Sequence, residues 1–71
     1  MGSEYSLATV LEKIYENQIA LEAATMELTL LAEGEGFTDT GENIRSALGR
    51  IGENAGFIKQ GMARLIAQEK D

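Results

Sequence analysis

The chain contains no cysteine, no histidine, no proline and no tryptophan. Without cysteine there is no disulfide, no thiolate nucleophile and no Cys-based zinc site; without histidine the commonest general base and metal ligand is gone. A catalytic triad and histidine-dependent acid–base chemistry are therefore excluded by composition. A Walker-type loop is excluded too, because Gly49-Arg50-Ile51-Gly52 is not followed by Gly-Lys-Ser/Thr. The lack of proline has the opposite sense: nothing in the chain breaks a long helix. No apolar run approaches the roughly twenty residues a membrane span needs, so the sequence predicts no membrane association and a soluble, cytoplasmic setting. Basic residues are scarce where they would matter for nucleic acid. Residues 1–36 carry seven glutamates against Lys13 alone, which places the whole net charge of −6 in the first half. Affinity for phosphates comes largely from Lys and Arg displacing counterions, so nucleic acid is not an expected partner.

What is present is helical periodicity. In the second half Ile44, Leu48, Ile51, Ala55, Ile58, Met62 and Leu65 alternate spacings of four and three, a seam facing a neighbouring helix. In the first half Leu7, Val10, Ile14, Asn17, Leu21, Ala24, Leu28 and Leu31 follow the same rule and are expected to face it. The reading is all-α: an antiparallel hairpin of helices at about 4–33 and 39–69, forming one domain over 1–71. Ser3 or Ser6 is expected to cap the first helix and Gly34 to supply the left-handed residue that ends it. Thr38 or Asp39 is expected to cap the second, with Asp39 and Glu42 spaced as a capping box and Phe37 packed ahead of them as a staple. Helices of roughly thirty residues, about 45 Å long, joined by a short connection must lie antiparallel.

One hairpin does not satisfy this pattern. Tyr15, Ile19, Ala23, Met26 and Leu30 form a further apolar stripe on the first helix, and each large side chain left in water forgoes about 1.5–3 kcal/mol. At 71 residues a single core supplies little stability, and with disulfides and Cys or His metal sites excluded, oligomerisation is the reinforcement that remains. Gly49, Gly52 and Gly56, with Ala63 beyond, share a stripe beside the second seam, although glycine inside a helix costs about 0.8–1 kcal/mol relative to alanine. The sequence therefore predicts an interface made by Tyr15, Ile19, Ala23, Met26, Leu30, Gly49, Gly52 and Gly56, in which large side chains of one protomer fill the glycine stripe of another. Asn17, the polar member of the first seam, is expected to fix register by meeting its own copy or Asn54.

The acids give no metal centre in this reading. Glu33, Glu35, Asp39 and Glu42 depart from the calcium-loop pattern, and Glu12 with Glu16 lacks the Glu-x-x-His companion of bundle metal sites. No metal, cofactor or catalytic residue is expected, and the chain is not expected to be an enzyme. Two long heptad-patterned helices joined by a tight turn resemble the Rop class of small bacterial hairpins, which dimerise into antiparallel four-helix bundles. The resemblance covers the whole chain but is one of architecture: no functional residue of that class is matched here, and the acidic first helix departs from an RNA-binding bundle. The expected function is a self-associating protein–protein interaction module, most simply a homodimer. Two alternatives are a small chaperone or adaptor for a helical partner, and an acidic inhibitor whose Glu12, Glu16, Glu22 and Glu27 imitate nucleic-acid phosphates.

Overall fold

The computed structural model describes residues 5–69, and within them the chain forms two helices, α1 (Leu7–Gly34) and α2 (Thr38–Glu69). They pack side by side as an antiparallel hairpin, a slab of 54 × 20 × 10 Å that is one helix thick. No helix among the described residues is long and apolar enough to cross a membrane. Ser3 and a helix start at residue 4 lie outside the described residues. Ser6 caps α1: its backbone is extended and its hydroxyl oxygen accepts from the Thr9 N–H at 3.1 Å, satisfying one of the donors a helix start leaves open.

The connection is tighter and differently built than the sequence suggests. Gly34 remains helical, Glu35 is the last half-turn, and the left-handed residue is Gly36, with φ of +92°. The Phe37 N–H donates to the Ala32 carbonyl at 2.9 Å and the Gly36 N–H to the Glu33 carbonyl at 3.0 Å, the pair of bonds that defines a Schellman ending. α2 then begins at once. Thr38 is already helical, so Phe37 occupies the capping position, where its carbonyl accepts from the Gly41 N–H at 3.0 Å. Thr38 and Asp39 thus sit in the first turn, where the Asp39 carboxylate suits the positive end of the helix. Phe37 is 61% exposed and does not act as a staple.

The seam of α2 lies where its periodicity puts it. Ile44, Leu48, Ile51, Ala55, Ile58, Met62 and Leu65 are all partly covered by α1. The seam expected on α1 does not face α2: Leu7, Val10, Ile14, Asn17, Leu21, Ala24, Leu28 and Leu31 are exposed, Leu21 to 67% and Leu28 to 63%. The covered line on α1 is shifted by one residue, to Ala8, Leu11, Tyr15, Gln18, Glu22, Thr25, Thr29 and Ala32. The physical reason is visible in the residues. This line is small or polar along most of its length, and it lets the two backbones come close; Thr29 is fully covered and settles its hydroxyl on the Thr25 carbonyl one turn back, at 2.8 Å. The large aliphatic residues are left to either side.

Candidate functional site: an uncovered apolar face

The hairpin is fastened at both ends. At the closed end Glu33 reaches across to Arg45 in a two-pronged contact, Nε to Oε2 at 2.7 Å and a terminal guanidinium nitrogen to Oε1 at 2.9 Å. Gly41 makes this possible: it is buried, and a Cβ there would stand 2.5 Å from Glu33 Cγ and 2.7 Å from Oε2. The Arg45 fork, chiefly by its hydrogen bonds, holds the Glu33 carboxyl below the usual glutamate range, and Glu33 in turn raises the guanidinium. At the open end a Glu69 carboxylate oxygen accepts from the Ala8 N–H at 3.0 Å, placing a negative charge at the start of α1. Neither clamp was apparent in the sequence. Glu33 stands in the sequence as one of the acids around the connection, periodicity does not single out Arg45, and the spacing of Gly41 from Glu33 carries no local signal.

Between the clamps one broad face of the slab is apolar and open. Two grooves of about 310 and 300 Å³ run along it; the first is lined by Ile14, Leu21, Ala47 and Ile51 among others, the second by Leu11, Ile14, Phe57 and Gly61 among others. Ile14 and Gln18 line both, so the grooves adjoin there. The Gln18 amide nitrogen is buried without a hydrogen-bond partner at this junction. Leu7, Val10, Leu28 and Leu31 extend the apolar edge along α1, and Phe57 stands on the α2 edge at 81% exposure. Asn17 lines the first groove at its rim, exposed, and not within the hairpin's own interior.

The residues predicted as an interface fall mostly on the other flank of α1. Ile19, Ala23 and Leu30 are exposed there, whereas Tyr15 and Met26 are partly covered. By heptad spacing they share that side with Gly49, Gly52 and Gly56, and with the Glu33–Arg45 clamp. An added Cβ at any of these three glycines would meet nothing within 4 Å, so no close helix contact inside the hairpin explains them. Of the four glutamates proposed as a phosphate-like row, Glu22 lies on the covered line and lines the first groove, out of line with exposed Glu12, Glu16 and Glu27. Among the described residues, no three acidic side chains converge as metal ligands would. No known family model, no curated protein and no solved structure matches the chain.

Proposed function

We propose that this chain is a non-enzymatic helical interaction module that associates with itself through its apolar faces, completing a Rop-like four-helix bundle as a homodimer. The observation that carries the reading is the exposed surface. The hairpin exposes 5718 Å², against about 4,300 Å² for a compact folded monomer of this mass. The excess, roughly 1,400 Å², exceeds the about 800 Å² per partner of a standard stable interface. Among the described residues Ala8, Thr29 and Gly41 are the buried ones, too small a core for a domain of this size to rely on. Stacking a second slab on the grooved face would cover the aliphatic side chains that are open there without any change in the hairpin. Function then belongs to the exterior of the assembled bundle, and the cytoplasmic setting expected from the sequence remains part of the proposal.

A second reading rests on the same grooves: a helix from another protein lies where the second copy would, making the chain an adaptor or small chaperone. Light scattering across a concentration series separates the two. A particle of twice 7.7 kDa with strong helical circular dichroism is the expected result. A monomer at every concentration would overturn self-association and leave the adaptor.

A further inference from the structure

The open face also specifies how two copies meet. Resting on the proposal of self-association, we infer that the second copy sits on the grooved face, with α1 of each protomer stacked on α2 of the other. The two edges of this face differ in size. The α1 edge carries large aliphatic residues, Ile14, Leu21 and Leu28 at seven-residue spacing. The corresponding positions of α2 are Ala47, Asn54 and Gly61, each shorter than its α1 counterpart, with Arg50, Phe57 and Arg64 between and beyond them on the same stripe. Stacking α1 on α1 would set the aliphatic stripe on its own copy along one edge and the stripe of Arg50, Phe57 and Arg64 on its own copy along the other. Stacking α1 on α2 sets Ile14, Leu21 and Leu28 against the shorter Gly61, Asn54 and Ala47 along both edges.

Charge points the same way. α1 carries five glutamates against Lys13, whereas α2 carries four acids and four bases. A stack of α1 on α1 superimposes two acidic helices; the crossed stack sets each beside the neutral one, with Arg50 and Arg64 on the same edge stripe as Phe57. The two-fold axis then runs parallel to the helices, and every adjacent pair in the bundle is antiparallel. Such an axis leaves each residue at its own height, so Leu21 of one copy comes level with the middle of the partner's α2, close to Asn54. Phe57 of each copy, which lines its own second groove, comes level with the second groove of the partner.

The absence of native cysteine makes this testable by placing single thiols. A Leu21→Cys chain and an Asn54→Cys chain are mixed in equal amounts, shown by light scattering to associate when reduced, and treated with a short bis-maleimide that tolerates an offset of about one helical turn. The crossed stack predicts linked product made of one chain of each kind, with each variant alone linking poorly. Homodimers linked within each variant alone would overturn the crossed stack in favour of α1 on α1. Association without linkage in any mixture would overturn the grooved face as the interface; the same labelling at Ile19→Cys and Gly52→Cys then locates it on the glycine flank. Loss of association in the unsubstituted chain itself would instead overturn the self-association on which the inference rests.

Discussion

Glu33, Gly41 and Arg45 act together at the closed end of the hairpin, and the linkage of their contact to pH can be worked out. Glu33 is held below its ordinary value by the Arg45 fork, so the folded chain favours the ionised carboxylate more than the unfolded chain does. The stabilisation is fully present above the ordinary glutamate range and is lost as pH falls through the lower value of the folded state. The pair is a third to a half exposed, so screening keeps the effect modest. Arg45→Gln should lower the thermal midpoint slightly at neutral pH and have no effect once Glu33 is protonated in both states. Gly41→Ala should lose the same pH-dependent part by another route, since its Cβ displaces the Glu33 side chain, with a pH-independent gain of about 1 kcal/mol in helix propensity superimposed, so that its midpoint relative to the parent is higher at acid than at neutral pH. Thermal melts of the two variants from neutral to acid pH are the check; a difference from the parent that persists unchanged at the acid end would refute the assignment.

At the scale of elements, the turn rests on Gly36, the non-helical residue whose φ of +92° an L side chain rarely adopts. Gly36→Ala should destabilise the hairpin by about 1 kcal/mol or more, whereas Gly34→Ala, at a helical position with open space, should be neutral or stabilising. Chemical denaturation of both variants distinguishes these outcomes, and equal effects would contradict the placement of the left-handed residue. The sequence located the turn but not its pivot, because Gly34 and Gly36 both satisfy the rule for a helix end and the decision lies in which carbonyls the following amides reach. The two helices differ in the same way. α2 has one apolar stripe, so its period alone names the residues that face α1, Ile44 through Leu65. α1 has apolar residues on two flanks, and periodicity cannot choose between them. The structure takes neither as the centre of the contact: the line through Gln18, Glu22, Thr25 and Thr29 lies against α2, since close approach of backbones is favoured by small side chains and not by aliphatic content. The open face was therefore legible as an excess of apolar residues on α1, while its location depended on a rotation of one residue that the seam pattern does not encode.

At the scale of the whole molecule, the slab is one helix thick and each of its broad faces has aliphatic side chains in contact with solvent. A hairpin in this state gains from interhelical packing on one side of each helix only, and isolated helices of moderate length are marginal in water. Two clamps at the ends fix alignment, but one is a solvent-screened ion pair and the other a single capping bond, so they cannot substitute for a core. Folding and association should therefore be one equilibrium, in which the second copy supplies the apolar surface that the first lacks. The thermal midpoint should rise with protein concentration, as it does whenever a partner binds the folded state and not the unfolded one. Dilution at fixed temperature should lower the helical signal and the mass together. The measurement is circular dichroism melts over a hundredfold range of concentration, paired with the scattering mass at each point. A midpoint independent of concentration would mean that the single hairpin folds on its own, and the open face would then be stable in water, free to receive a different helix.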